Sequence, residues 1–243
     1  MDDHEKTASA RSILMPASAL RGKRWDPGYW LADRPTEADA AALPRVPLGS
    51  FIETICYGAI LPGRRPEPVR DGVAIVGQRE VRPTGVVLDR AIRVAEGCAY
   101  DPSRCRLRPG DVVLARSGVG ALGKKLFTVF RNPVRATVSC FVDLVRLQGI
   151  SPFYVVTFLR SRMGWSQVER LMSGVGTPNL SFSQVRSLLV PVLPAAEQQE
   201  IEAAWAGIGQ LHDAGRLAEA TRALDSLVAD LETRLARRGS QAV

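Results

Sequence analysis

Histidine is almost absent from this chain of 243 residues. Its two histidines, His4 and His212, lie near opposite ends of the sequence. A histidine general base needs a nucleophile and an orienting group beside it in the fold. The sequence therefore predicts neither a catalytic triad nor a metal site built around histidine, and we expect a protein that is not an enzyme.

Cysteine is also scarce. The four cysteines form no C-x-x-C pair, and no histidine lies near them at the spacing of a zinc site: Cys56, Cys98, Cys105 and Cys140. This pattern predicts free thiols in a reducing compartment and no metal.

Long apolar runs are missing. No segment approaches the roughly 18 apolar residues that a membrane-spanning helix needs. Residues 1–5 lack the basic stretch and apolar core of a secretory signal. These absences lead us to expect a cytoplasmic protein with no membrane contact.

Positive charge is concentrated in the middle of the chain. The formal net charge is +7, and residues 51–195 hold 20 Lys and Arg against 10 Asp and Glu, whereas residues 196–243 hold 5 against 8. A basic body with an acidic tail predicts that the body binds a polyanion and the tail binds protein. Basic residues spread over an ordinary solvated surface would give the same count, so charge alone leaves both interpretations open.

A glycine-rich loop matches two nucleotide-binding patterns. Gly118, Gly120 and Gly123 spell G-x-G-x-x-G, and residues 118–124 spell G-x-x-x-x-G-K. Both patterns need a helix to follow, but residues 126–130 favour a strand. Lys125 also stands where a phosphate-binding loop has Ser or Thr. We therefore expect a tight turn here.

Short apolar or β-branched runs separated by turns predict strands at residues 73–76, 86–88, 111–115, 125–130 and 136–142. Their spacing favours a compact, twisted, mixed sheet. Before them, residues 46–57 have the apolar spacing of a short helix. After them, helices are predicted at residues 151–162, where Ser151 precedes Pro152 at the first turn, and at residues 165–172.

The last part of the chain predicts a long amphipathic helix. Apolar residues recur at steps of three and four from Ile201 to Leu235. A continuous helix over residues 197–238 would be about 63 Å long, and we expect it to project and pack against a partner. Because Gly207, Gly209 and Gly215 disfavour a helix interior, a hairpin of two helices is the alternative.

The stretch over residues 168–201 resembles part of a known family. It contains a glycine-rich turn with Pro178 and Asn179, a short strand closed by Pro194, and a helix that opens with Glu197 and Gln198. This order resembles the end of a target-recognition domain in the DNA specificity subunit of type I restriction-modification systems. The R-W-D-P-x-Y segment at residues 24–30 and the glycine-rich hairpin at residues 110–124 resemble further parts of that domain.

The resemblance implies an α+β fold: a mixed, twisted β-sheet target-recognition domain with flanking helices, followed by a long C-terminal amphipathic, coiled-coil helix. It implies the recognition domain at residues 24–195 and a helical region for dimerisation or methyltransferase docking at residues 196–240. We expect a flexible arm at residues 1–23, because residues 1–20 are small and polar with no apolar period. The family's full-length subunit has two such domains, so this chain resembles half of one.

The same resemblance implies a non-catalytic, sequence-specific DNA-binding subunit that directs a partner adenine DNA methyltransferase, and with it a restriction or antiviral defence complex. The expected partners are double-stranded DNA and the methyltransferase subunit. Two alternatives stay open for the assembly: two copies of this chain dimerise through their C-terminal helices, or one copy serves a larger complex. We expect no cofactor in the chain itself, because S-adenosylmethionine belongs to the methyltransferase.

Loop residues with hydrogen-bond donors are the candidate DNA contacts, since Arg matches the acceptors of guanine, Gln suits adenine and Lys suits phosphate. They are Arg64, Arg65, Gln78, Arg79, Arg82, Arg116, Lys124, Lys125, Arg135 and Gln184. The candidate partner-binding residues lie on the apolar seam of the tail: Ile201, Trp205, Ile208, Leu224 and Leu231. A structural turn that seats the domain against the tail is assigned to Gly174, Gly176, Pro178 and Asn179.

Two other functions stay open on the sequence alone. A non-catalytic adaptor of a defence complex would keep the fold and use its basic face for an acidic protein. A nucleotide-dependent enzyme would use the glycine-rich loop, and nucleotide would stabilise it against heat.

Overall fold

The computed structural model describes residues 44–118, 120–172 and 179–241, with side chains as far as residue 238. The predicted arm at residues 1–23, the aromatic segment at residues 24–30, and Gly174, Gly176 and Pro178 of the predicted seating turn lie outside the described residues.

Among the described residues, ten strands precede the first α-helix and one strand lies between the third and fourth α-helices, which is an α+β order. The strands are β1 (Arg45–Pro47), β2 (Ile52–Tyr57), β3 (Val73–Val76), β4 (Val81–Arg82), β5 (Gly85–Val86), β6 (Arg93–Val94), β7 (Val112–Ala115), β8 (Phe127–Val129), β9 (Ala136–Val138), β10 (Val142–Leu147) and β11 (Leu189–Pro191). The helices are α1 (Pro152–Arg160), α2 (Arg162–Leu171), α3 (Phe182–Ser187), α4 (Ala195–Asp213) and α5 (Leu217–Gln241).

The strands form several small sheets. An antiparallel sheet has the order β2-β10-β7-β8, and a mixed sheet has the order β6-β3-β9, in which β3 runs parallel to β9. β1 pairs with β11, and β4 with β5 forms a short hairpin. The predicted class, a mixed β arrangement with flanking helices and a long C-terminal helix, is confirmed.

The predicted helix at residues 46–57 is wrong. Only Leu48–Phe51 form a helical turn, of the 3-10 type, and Ile52–Tyr57 are strand β2. This stretch contains several β-branched residues, which favour strands, and it pairs along its length with β10. The pairing partner lies far away in sequence, so local apolar spacing could not reveal it.

The predicted strand at residues 136–142 is two strands. β9 pairs with β3, whereas β10 pairs with β2 and β7, so the chain passes between sheets at residues 139–141. Gly58 lies against this turn: a Cβ there would fall 1.8 Å from the carbonyl oxygen of Val138. Only glycine permits that approach.

The glycine-rich loop is a turn, as predicted. Leu122–Lys124 form one 3-10 turn and strand β8 follows. Lys125 joins the two with a left-handed φ of 54°. In the described part of this loop no α-helix begins, so the helix that a nucleotide fingerprint requires is missing here.

The short helices start where the sequence places capping residues. Ser151 precedes α1, which has Pro152 at its first position. The Ser161 hydroxyl accepts a hydrogen bond from the Gly164 N–H at the start of α2, and Ser181 with Gln184 forms a capping box at α3. The Ser161 and Ser181 side chains satisfy backbone N–H groups that have no partner within the helix, whereas Ser151 makes no such side-chain bond.

The C-terminal region is an antiparallel hairpin of α4 and α5, which was the alternative interpretation. Gly215 between them has φ 74°, and an α-helix cannot continue through that conformation. Arg234 pairs with Glu200 at 2.6 Å, and Arg238 pairs with Glu197, so the helices align in opposite directions. α5 is the long C-terminal helix that was predicted, but a continuous helix over residues 197–238 is wrong.

The hairpin shares a hydrophobic core with the rest of the chain. Its apolar seam joins one buried cluster with α1, α2, β7 and β8. The indole N–H of Trp205 donates to Thr157 Oγ1 on α1 at 2.9 Å, and its ring centroid lies 5.7 Å from that of Phe153. The expectation that the tail projects from the body is therefore wrong. A second buried cluster, which includes Val76 and Val113, lies between the antiparallel and mixed sheets.

Candidate nucleic-acid interface

An open groove of about 1320 Å³ is lined by residues of the mixed sheet and by the loops around it. Ile75 of β3 and Val138 of β9 line it from the sheet. The surrounding segments are the loops after β2 and β3, the loop between β5 and β6, the glycine-rich loop and the turn before β10. These segments lie between residues 59 and 141, and the packing of the sheets brings them to one face.

Four arginines line this groove: Arg64, Arg79, Arg82 and Arg90. Arg82 donates to the nearby carbonyl oxygens of Arg79 at 2.5 Å and Val81 at 3.0 Å. Among the described residues, the guanidinium groups of the other three have no hydrogen-bond or ion-pair partner. They are therefore available to phosphate oxygens or to base edges.

Two acidic residues, Glu80 and Asp89, also line the groove. Glu80 Oε2 accepts a hydrogen bond from the Gly77 N–H at 2.9 Å, so this carboxylate holds the turn after β3. Four cationic and two anionic side chains leave the groove with an excess of positive charge.

The groove brings together four of the predicted DNA contacts, Arg64, Gln78, Arg79 and Arg82. Arg65 is exposed beside Arg64 but does not line the groove. Sequence reasoning missed Arg90, because it belongs to no motif and its place depends on how the loop between β5 and β6 lies beside the sheet.

Gln78 links the glycine-rich loop to the turn before β10. Its Nε2 donates to the carbonyl oxygens of Ser117 at 2.9 Å and Phe141 at 3.3 Å. Both amide hydrogens are therefore used, and only the Oε1 acceptor is left. Oε1 can still accept from the amino group of adenine, so the contact of Gln78 with adenine stays a prediction.

Arg116, a predicted DNA contact, has partners within the fold. Its Cζ lies 4.5 Å from the ring centroid of Tyr57 and 5.8 Å from that of Phe182, and its Nε lies 3.7 Å from Asp143 Oδ1. The side chain is 20% exposed. These contacts bind Arg116 into the fold between aromatic rings and a buried carboxylate, and contradict the predicted contact.

The Asp143 carboxylate is completely buried, and neither oxygen has a hydrogen-bond partner among the described residues. Burial raises the pKa of Asp143 to about 7, although the charge of Arg116 acts in the opposite direction. A carboxyl group without hydrogen bonds in an apolar site favours its neutral form.

The two adjacent lysines differ. Lys124 is exposed, and its phosphate contact stays a prediction. Lys125 places its Nζ 4.8 Å from the ring centroid of Trp165 and donates to the Arg160 carbonyl oxygen at 3.2 Å. Burial and the charge of Arg160 lower the pKa of Lys125. Lys125 therefore anchors the turn against α1 and α2, which contradicts its predicted contact with phosphate.

Arg135 and Gln184 also have partners within the chain. Arg135 pairs with Glu96 at 2.5 Å, away from the groove lining. Gln184 Oε1 accepts from the Ser181 N–H at 2.7 Å, while its Nε2 donates to the Leu171 carbonyl oxygen at 2.6 Å. Gln184 is a capping residue, and the structure contradicts its predicted contact with adenine.

The five predicted partner-binding residues are core residues. Their side chains are at most 3% exposed and belong to the cluster under α4 and α5: Ile201, Trp205, Ile208, Leu224 and Leu231. The seam is filled by the chain's own head, so the prediction that these residues bind a partner is wrong.

Asn179, the described end of the predicted seating turn, forms a β-bridge with Ser117. The next residue, Leu180, donates its N–H to the Arg116 carbonyl oxygen at 3.3 Å. This end of the turn therefore lies against the glycine-rich loop.

No group of three or more His, Cys, Asp or Glu in the described ranges could hold a metal ion. None of the described helices is both long and apolar enough to cross a membrane. The four cysteines are free.

No protein-family profile matches this chain, and no curated protein is similar to it in sequence. A chain from the structural work on complex assembly and conformational transition of the type I R-M system is 16% identical, with a TM-score of 0.50, and the match covers 83% of this chain and 45% of that chain. The HsdS subunit from Thermoanaerobacter tengcongensis is 17% identical, with a TM-score of 0.48 and coverages of 85% and 48%. The type I S subunit from M. genitalium is 10% identical, with a TM-score of 0.45 and coverages of 70% and 39%.

This chain thus spans less than half the length of each of these solved structures. At such low identity the likeness concerns the fold alone. The chain has a mixed α+β fold similar to that of a type I restriction-modification subunit.

Proposed function

We propose that this chain is a sequence-specific DNA-binding subunit that directs a partner adenine DNA methyltransferase to its target. The observation that carries the proposal is the groove, where four arginines from three segments of the chain line one face: the loop after β2, the turn after β3 with strand β4, and the loop between β5 and β6. Duplex DNA is a uniform polyanion with acceptors on guanine edges, and arginine suits both features. The fold similarity to a type I restriction-modification subunit supports the same conclusion.

The chemistry of methyl transfer is assigned to the partner. S-adenosylmethionine would bind there, and the present chain would supply target choice. The buried seam of the hairpin is not accessible, so we assign docking of the methyltransferase, or of a second copy, to the outward face of α4 and α5. That face includes exposed Ala203, Ala206 and Gln210 on α4.

Binding of the full chain to random duplex DNA across a salt series tests the proposal, with the methyltransferase present and absent. Affinity should fall steeply as salt rises, because each neutralised phosphate adds about 0.9 to the slope of log affinity against log salt. Arg79→Ala should reduce that slope or relax base preference, since Arg79 lies in the groove without a partner among the described residues.

A matched control is Arg222→Ala. Arg222 is exposed on α5 and does not line the groove, so its loss should leave binding unchanged. If the chain, alone and with a methyltransferase, does not bind duplex DNA at low salt, the proposal is wrong. A partner protein held equally well with and without DNA would instead favour the adaptor function.

A further inference from the structure

Phe141 is an exposed aromatic residue in the turn between β9 and β10. Its side chain is 59% exposed, whereas Phe127, Phe130 and Phe158 are at most 2% exposed. A single apolar residue at a surface needs no explanation in itself. Phe141 does need an explanation, because its backbone is held rigidly and its neighbours are cationic.

The backbone of Phe141 is fixed from several sides. Its N–H donates to Ser139 Oγ at 3.3 Å. Its carbonyl oxygen accepts from the Arg116 N–H at 3.2 Å and from Gln78 Nε2 at 3.3 Å. The close approach of Gly58 to Val138 restricts the same turn from behind. The exposed ring therefore extends from a rigid support and not from a loose loop.

The surroundings of Phe141 are cationic and apolar. It lines the groove together with Arg64, Arg79, Arg82 and Arg90, and with Ile92, which is 47% exposed. Aromatic or apolar side chains set among arginines are typical of proteins that stack on bases or insert between them. The charges around the ring favour a nucleic acid over an uncharged apolar partner.

We propose that Phe141 is a base-contacting wedge, whose ring packs against an unstacked base step of the bound duplex. Gln78 is its positioning residue, because it ties the turn of Phe141 to the glycine-rich loop. This inference rests on the proposed DNA-binding function and adds a specific mode of contact. It makes the affinity depend on how easily the DNA at that step deforms.

The test uses the full chain and a duplex selected by the wild-type chain from a randomised pool. Phe141→Ala should weaken binding about tenfold, as loss of one base-stacking contact does. The salt slope should stay unchanged, because no phosphate contact is removed. Phe141→Trp should restore affinity. 2-Aminopurine placed along the site should brighten at one step with the wild-type chain and not with Phe141→Ala.

Val134→Ala is the matched control, since Val134 is 40% exposed but does not line the groove. Thermal unfolding of each variant shows whether it is folded. Suppose that the wild-type chain binds DNA with a steep salt dependence and that Phe141→Ala equals it in affinity and in 2-aminopurine signal. That result would show that Phe141 is not a wedge, and the proposed DNA binding would still hold. Absence of wild-type binding at low salt would overturn the proposed function itself.

Discussion

Asp143 makes the free energy of unfolding depend on pH. It lies on β10 between Tyr57 of β2 and Leu114 of β7, with its carboxyl group buried. Burial disfavours the charged form and raises the pKa of Asp143 from its ordinary value of 3.8 to about 7. The folded chain therefore holds this proton more tightly than the unfolded chain does. Stability from this group is fully present below about pH 4 and is lost as pH rises through about 7.

Asp143→Asn should remove this dependence. Asn has a similar shape and no charge, so its free energy of unfolding should exceed that of the wild type progressively from pH 4 to pH 8, by at most roughly 4 kcal/mol. Urea unfolding of both proteins across this range measures the difference. Other titrating groups occur in both proteins and cancel, so a difference that does not change with pH would contradict the prediction.

Residue types alone predicted which side chains could contact DNA but not which are free to do so. Arg79 and Arg116 look alike in the sequence, since each lies just after a predicted strand. Arg79 lines the groove, whereas Arg116 lies between Tyr57 and Asp143. The difference comes from partners that are distant in the sequence, which no local pattern contains.

Two glycines of α4 allow a prediction at the scale of one helix. Gly207 is exposed, and a Cβ there would meet nothing within 4 Å; a Cβ at Gly209 would fall 2.2 Å from Arg131 Nη1. Arg131 pairs with Asp213 at 3.2 Å and so joins α4 to the loop after β8. Replacing either glycine by alanine favours the helix, but only Gly209 must displace an arginine.

Gly207→Ala should stabilise the chain by about 0.5–1 kcal/mol, from helix propensity and from reduced freedom of the unfolded chain. Gly209→Ala should stabilise it clearly less, or destabilise it, because the same gain is offset by the lost contacts of Arg131. Urea unfolding of the two variants compares them directly. If Gly207→Ala and Gly209→Ala stabilised the chain equally, the contacts of Arg131 with α4 would not contribute to stability.

Elements bounded by local chemistry were predictable, and those bounded by pairing were not. The predicted helix start at Ser151 and Pro152 agrees with α1, because a proline in the first turn is a local signal. The helix predicted at residues 46–57 failed because β2 owes its form to pairing with β10. The single strand predicted at residues 136–142 failed because the apolar pattern continues through the turn at residues 139–141, where the chain changes sheets.

At the scale of the whole molecule, the tail and the head form one folding unit. The sequence showed the seam of the tail, but not that the head covers it. A projecting helix and a packed hairpin have the same apolar spacing. In the sequence, Gly215 is the residue that distinguishes the hairpin from the continuous helix. Because the seam packs with α1, α2, β7 and β8, the hairpin should not unfold separately from the sheets.

Substitutions at Leu231 and Leu217 test whether the hairpin and the sheets unfold together, because both residues lie on α5 and differ in burial. Leu231 is completely buried, whereas Leu217 is 38% exposed. Leu231→Ala should lower the free energy of unfolding by about 2–5 kcal/mol, and Leu217→Ala should have a much smaller effect. Helical circular dichroism and the protection of the buried Cys105 thiol, which belongs to the second cluster in the head, should change in a single transition for each variant. If the tail were an independent stalk, Leu231→Ala would lose the helical signal first while Cys105 stayed protected.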